Sequence, residues 1–406
     1  MNNSIRSQFP GLQGKVNGKP FAYLDNCATA QKPLAVIERM DHFLRAEYGT
    51  VHRGMYQRSM RSTELYEQAR ASVAKLLNAP DPDNVVYTSG TTDAINLVAW
   101  SWGRAYLKPG DAVLITAMEH HANIVPWQIT KELFGFDLKV CPIHDDGSLD
   151  RKAFRRLLGE NVKLVAIAHI SNSLGTVNPV TELIHEAHDA GALVLVDGAQ
   201  SVPHGLVDVQ AMDCDFLACS AHKIYGPTGI GALYGKAELL DAMPPWRGGG
   251  DMIDRVTFEQ TTYAAPPLRF EAGTPAIVEA IGFAAAADWF AQLDHTALRQ
   301  HEHDLLHYAE NLLQEVPGLK QIGTAPERAG LISFVMDEAH PSDIANILDM
   351  EGVAIRAGHH CAQPVMQRFG VNATARISIG CYNSRADVDQ AVAALHKVAR
   401  LFGLVA

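Results

Sequence analysis

Asp213-Cys214-Asp215-Phe216-Leu217-Ala218-Cys219-Ser220-Ala221-His222-Lys223-Ile224-Tyr225-Gly226-Pro227 reads as an apolar strand that empties into a polar turn carrying one lysine. An ammonium group beside an apolar run is costly unless it is neutralised, paired or covalently used, and burial lowers a lysine's pKa until the amine is a nucleophile. Lys223, flanked by Ser220 and His222, is therefore a candidate Schiff-base lysine; the competing reading is an ordinary charge on a solvated loop. Upstream, Ala192-Leu193-Val194-Leu195-Val196-Asp197-Gly198-Ala199-Gln200 reads as a buried parallel strand ending in a carboxylate. The carboxyl ends of strands form the ligand crevice of open α/β sheets. Asp197 belongs on that rim, although alone it reads equally well as a helix N-cap or a turn residue.

A third segment, Val85-Val86-Tyr87-Thr88-Ser89-Gly90-Thr91-Thr92-Asp93-Ala94-Ile95-Asn96-Leu97-Val98, is a short strand, a turn of small residues and the start of an amphipathic helix. Hydroxyls and bare N–H groups at a helix N-terminus bind phosphate, because orphan donors and the helix dipole both face the anion. A Ser-Gly-Thr-Thr turn is also simply a good cap. Together the three segments meet the needs of pyridoxal phosphate: a lysine for the aldehyde, a carboxylate for the ring nitrogen and a donor cup for the phosphate.

The surrounding chain supports one fold class. Apolar runs such as Ala112-Val113-Leu114-Ile115-Thr116, Leu164-Val165-Ala166-Ile167-Ala168 and Leu193-Val194-Leu195-Val196 alternate with helical patterns such as Thr181-Glu182-Leu183-Ile184-His185-Glu186-Ala187-His188. This predicts α/β architecture, a mostly parallel sheet with helices on both faces. Pro244-Pro245-Trp246-Arg247-Gly248-Gly249-Gly250-Asp251-Met252 reads as an irregular loop, and an alanine-rich helical stretch after Pro275 leads into a smaller α+β unit. At 406 residues and 47% hydrophobic the chain can bury two cores. No apolar run approaches a membrane span and the start lacks the core of a secretory signal, so a cytoplasmic location is expected. The formal charge of -11 opposes nonspecific binding to nucleic acid or an anionic membrane.

The six cysteines show no CxxC pair, so neither a zinc site nor a disulfide scaffold is expected. Cys214 and Cys219 lie in the lysine strand and read as small buried apolar residues. Cys361 differs: Arg356-Ala357-Gly358-His359-His360-Cys361-Ala362-Gln363-Pro364 is a proline-bounded loop in which cationic neighbours favour a thiolate. Read alone, it is also a packed loop or a metal-ligand set. In Glu119-His120-His121-Ala122-Asn123 adjacent histidines project in divergent directions, which argues against a shared metal.

These motifs, with Tyr23-Leu24-Asp25, Val51-His52-Arg53-Gly54 and Phe270-Glu271-Ala272-Gly273-Thr274-Pro275, run almost end to end. In them the chain resembles the cysteine desulfurases of the class V aminotransferase group, fold-type I pyridoxal phosphate enzymes, most closely the sulfur-mobilisation type that also acts as a selenocysteine lyase. The resemblance implies a seven-stranded sheet in a large domain, 20–285, and a small domain of 1–19 with 286–406 that carries the cysteine loop. It implies that His120 stacks on the cofactor ring and relays protons, that Thr91, Thr92, Ser220 and His222 hold the phosphate, and that Asp197 and Gln200 contact the ring. It further implies that Arg376 pairs with the substrate carboxylate, with Asn172, Arg356, His52 and Arg53 around the pocket. Cys361 becomes the persulfide-bearing residue, L-cysteine or L-selenocysteine the substrate, and a sulfur-acceptor protein serving iron-sulfur cluster assembly the partner. A homodimer is implied, with Thr274 reaching the other subunit's phosphate. Two other classes remain: a fold-type I lyase or transaminase that uses Lys223 and Asp197 but not Cys361, and a non-catalytic sulfur carrier.

Overall fold

The computed structural model describes residues 5–205 and 207–404; residues 1–4 and 405–406, expected in the small domain, lie outside the described residues. Its central sheet holds β1 (Val85–Thr88), β2 (Ala112–Thr116), β3 (Asp137–Cys141), β4 (Val162–Ala168), β5 (Leu193–Asp197), β6 (Phe216–Ser220) and β7 (Gly231–Gly235). They lie in the order β1-β7-β6-β5-β4-β2-β3. Neighbours are parallel except at β7, which is antiparallel to both β1 and β6. The mostly parallel seven-stranded sheet is therefore present. Along β2, Leu114 enters one core while Val113 and Ile115 enter the other, the period of a strand buried on both faces.

The odd strand matters for the site. Gly231 at the start of β7 pairs with Thr88 on one side and Ser220 on the other, so the turn after β1 and the turn after β6 meet at one edge. A side chain at 231 could not fit, because its Cβ would lie 2.4 Å from the Cys219 carbonyl and 2.6 Å from the Gly90 Cα.

Helices α1 (Gln57–Leu77), α2 (Thr91–Trp100) and α3 (Ile277–Ala291) cover the sheet, α3 lying against α1. A second, four-stranded antiparallel sheet holds β8 (Leu319–Ile322), β9 (Leu331–Met336), β10 (Arg356–Gly358) and β11 (Thr374–Ser378) in the order β8-β9-β11-β10. It is backed by α4 (Pro341–Met350) and α5 (Arg385–Leu401) around a separate core that includes Leu306, Phe334, Leu348 and Leu395. Two details differ from the expected division of the chain. The helix α3 runs straight through residue 285, and Ala22 and Leu24 sit in the second core because Ala22–Tyr23 pairs in parallel with Val353–Ala354. Among the described residues no helix is long and apolar enough to cross a membrane.

Candidate active site

The carboxyl ends of β4, β5 and β6 open into a cavity of about 600 Å³ whose far wall is the loop between β10 and β11. Strand β6 delivers Ser220 and, one short turn later, Lys223. Burial lowers the Lys223 pKa, with Asp197 opposing, so the amine is biased toward its neutral, nucleophilic form. Asp197, at the end of β5, is buried and accepts a hydrogen bond from the Ala199 N–H at 2.9 Å. It thus serves the turn, as one reading of the sequence expected. Burial nevertheless raises its pKa against the pull of that N–H and of Lys223, and a ring N–H⁺ is the kind of donor that would keep it ionised.

The phosphate end is built where the two turns meet. Thr91 N–H donates to Ser220 Oγ at 2.8 Å, and Thr91 Oγ1 lies 2.8 Å from the same hydroxyl. Gly90 precedes α2 and supplies no side-chain cap, which leaves first-turn N–H groups for an anion. Thr92 and His222 line the same wall, and His222 Nδ1 is buried without a hydrogen-bond partner. A buried orphan nitrogen beside a bare helix start fits a phosphate, so the residues present suit pyridoxal phosphate at both ends.

His120 stands on the cavity wall with its Nδ1 accepting the Ala122 N–H at 3.0 Å. Burial, then Lys223 and His121, push its pKa down to about 4. The ring is therefore held neutral near pH 7 with its proton on Nε2, rather than poised at neutrality as an unperturbed histidine would be. Gln200 lines the cavity and donates its amide to the Cys27 carbonyl at 3.0 Å.

Arg356 and Arg376 are directly opposite each other on β10 and β11, an unfavourable pairing of like charges. Asp25 resolves it, with Arg356 at 2.9 Å and Arg376 at 3.5 Å from its two oxygens. Arg376 is 3% exposed, donates to the Asn172 carbonyl at 2.7 Å, and has an unpartnered Nε. Asn172 in turn donates its amide to the His360 carbonyl at 2.6 Å. Its role is to tie the arginine to the cysteine loop.

That loop is strained. His360 and Cys361 have φ of 54° and 53°, a left-handed conformation unusual for residues with side chains. Cys361 is exposed at the cavity mouth while the other five cysteines, Cys214 and Cys219 among them, are buried. His360 bonds Thr374 through Nε2 at 2.7 Å, and burial pushes its pKa down to about 3. Neutral at pH 7, this histidine brings no positive charge to the loop.

Three expected site residues lie elsewhere in the chain. His52 faces Glu67 at 3.1 Å, Arg53 pairs with Asp251 at 3.1 Å on the exterior, and Thr274 borders a separate recess with Ser89 and Gly229. Sequence reasoning in turn gave no role to Asp25, His121 or Gln363, which line or brace the cavity. Asp25 carried a signal, as the only acid in a stretch beginning the likeness; Gln363 acts through its backbone N–H and His121 through a contact with that distant group, so neither carried one. Cys27 also lines the cavity, and burial raises its pKa.

Comparison with known proteins agrees with this geometry. The aminotransferase class-V family model matches residues 22–391. A cysteine desulfurase of Dickeya dadantii (strain 3937) is 52% identical over 98% of this chain and 97% of its own, and one of Serratia proteamaculans (strain 568) is 49% identical over 98% of both. Among solved structures, the cysteine desulfurase CsdA from Escherichia coli, in an S-sulfonic acid form, superposes with a TM-score of 0.91 at 40% identity over 99% of both chains. The apo cysteine desulfurase from Thermococcus onnurineus NA1 gives 0.93 at 36% identity over 98% of both. The chain belongs to the class-V aminotransferase family and, within it, to the cysteine desulfurases.

Proposed function

We propose that this cavity removes sulfur from L-cysteine, leaving L-alanine and a persulfide on Cys361. The activity, cysteine desulfurase, and the cofactor, pyridoxal phosphate, are those of the family. When bound, the cofactor supplies an aldehyde for the substrate amine and a ring that withdraws electrons from it. Ser220, Thr91, Thr92 and His222 would hold its phosphate, Asp197 its ring nitrogen, neutral His120 its face and Gln200 its ring oxygen.

The remaining steps belong to the protein. Arg376 receives the substrate carboxylate, because its guanidinium is already fixed by Asp25 and Asn172 and is desolvated. Lys223, neutral through burial, takes the α-proton. The Cys361 thiolate forms a sulfur-sulfur bond with the substrate sulfur as the substrate's carbon-sulfur bond breaks, and the carbon skeleton leaves as alanine after gaining a proton. The observation that carries this reading is that Lys223 and Cys361, from different sheets, open into one cavity. A transaminase needs the first and has no use for the second.

Incubation with L-cysteine followed by mass spectrometry is the test. One added sulfur on the Cys361 peptide with release of alanine is expected, and Cys361→Ala should lose both. Amino-acid turnover that ignores Cys361→Ala would overturn the reading. We also infer L-selenocysteine lyase activity, since a selenol leaves more readily and needs less help from Cys361. Selenide release should therefore survive in Cys361→Ala, and its loss in parallel with sulfur release would count against it. The exposed position of Cys361 supports passage of sulfur to an acceptor protein with its own thiol, of the kind that serves iron-sulfur cluster assembly.

A further inference from the structure

The turn Glu119–Asn123 touches both halves of the chemistry and is anchored more firmly than a loop needs to be. The fully buried Glu119 carboxylate accepts from Thr116 Oγ1 at 2.5 Å, Ala168 N–H at 3.1 Å and Asn123 Nδ2 at 2.7 Å. Asn123 Oδ1 then accepts the Trp127 indole N–H at 3.1 Å. Above this base the two histidines diverge. His120 faces the cavity, whereas His121 grips the loop of the small sheet just after Cys361, at two backbone groups. Its N–H donates to the Cys361 carbonyl at 2.7 Å, and its Nε2 accepts the Gln363 N–H at 3.0 Å.

Those two bonds fix the chain directly after His360 and Cys361, a pair in left-handed conformation, a geometry that persists only where surroundings impose it. The side-chain holds at His360, Asn172 to its carbonyl and Thr374 to its Nε2, lie on the amino side of Cys361. His121 braces the carboxyl side. Burial and the neighbouring His359 lower the His121 pKa, which keeps Nε2 an acceptor.

We propose that His121 is a positioning residue for the sulfur-accepting thiol, clipping Cys361 and Gln363 to the rigid turn that also presents His120. The proposal rests on the desulfurase reading above. It makes the clip, and not the strain in the loop alone, responsible for where the Cys361 sulfur sits relative to the substrate.

Two substitutions separate the clip from mere packing. His121→Leu fills the space but accepts nothing, while the carbonyl of His121→Gln reaches about as far as Nε2 and can take the Gln363 N–H. In the holoenzyme, amide hydrogen exchange read at Gln363 should quicken about tenfold in His121→Leu, the factor that ~1.4 kcal/mol for one lost hydrogen bond converts to. The kcat for alanine formation from L-cysteine should fall about tenfold to a hundredfold, since small misplacement of a reacting group costs that much, with KM moving less than about threefold. His121→Gln should restore both readouts. Unchanged exchange at Gln363 in His121→Leu, unchanged kcat, or failure of glutamine to rescue either would overturn the proposal. A wild-type enzyme that made no alanine would instead sink the desulfurase reading, and this catalytic role with it.

Discussion

Burial sets the protonation of the groups around this cavity. His120, His222 and His360 are pushed down to about 4, 4 and 3, desolvation being the largest cause each time, so all three are neutral at pH 7. Glu119 shows the same physics with the opposite sign. Burial raises its carboxyl from the usual 4.5 to about 7, against its three donors. A carboxyl whose folded pKa is raised stabilises the fold below its unfolded value and loses that contribution as pH climbs through the folded one. For Glu119 the window is therefore roughly pH 4.5 to 7. Glu119→Gln carries no such titration, so the wild type should lose stability relative to Glu119→Gln by up to ~3 kcal/mol between pH 5 and pH 8. Urea denaturation of both proteins at the two pH values checks this, and a difference that stays constant with pH would refute it.

Between elements, a buried ion pair fixes α1 to the edge of the sheet. Arg70 of α1 is 1% exposed, meets the two oxygens of Glu271 at 2.6 and 2.9 Å, and donates to the Val85 carbonyl at 2.8 Å. Glu271 also accepts the Tyr87 N–H at 2.6 Å, so one carboxylate holds the helix, strand β1 and the loop leading to Thr274. Removing one member strands the other in low dielectric, and Glu271→Ala should cost about 3–5 kcal/mol in a denaturant titration. A loss below about 1 kcal/mol would show that water or relaxation satisfies Arg70 instead. This pair was not legible in the sequence, because its members are distant and each alone reads as surface charge. The parallel strands were legible, because burial on both faces leaves uninterrupted apolar runs at Ala112–Thr116 and Leu193–Asp197. Strand β7 was not, since Gly231–Gly235 has glycine at both ends, the first of which its close contact with Gly90 requires.

At the scale of the whole molecule, the site was readable where a chemical group sits at a strand end and unreadable where it depends on a distant partner. Lys223, Asp197 and Cys361 line one cavity, while Thr274, expected at the other subunit's phosphate, and His52 and Arg53 lie outside the cavity of their own chain. A second copy of the chain would give these three a place. Met55, Tyr56 and Met60, at the start of α1 and next to Arg53, are 96%, 54% and 64% exposed, more apolar surface than one short stretch of a monomer usually leaves in water. If Thr274 serves the partner's phosphate, the defect of Thr274→Ala lies in the neighbouring site. Loss of one hydrogen bond to a charged group should weaken cofactor affinity about tenfold or more. Lys223→Ala should be inactive for a reason internal to its own cavity. In a mixed dimer one site would carry both defects and the other neither. After subunit exchange at limiting cofactor, a 1:1 mixture of the weakened and the inactive variant should recover about a quarter of wild-type activity, because half of such dimers would be mixed and each would have one sound site. No recovery despite exchange shown by mass spectrometry would mean that Thr274 acts within its own chain or not at all.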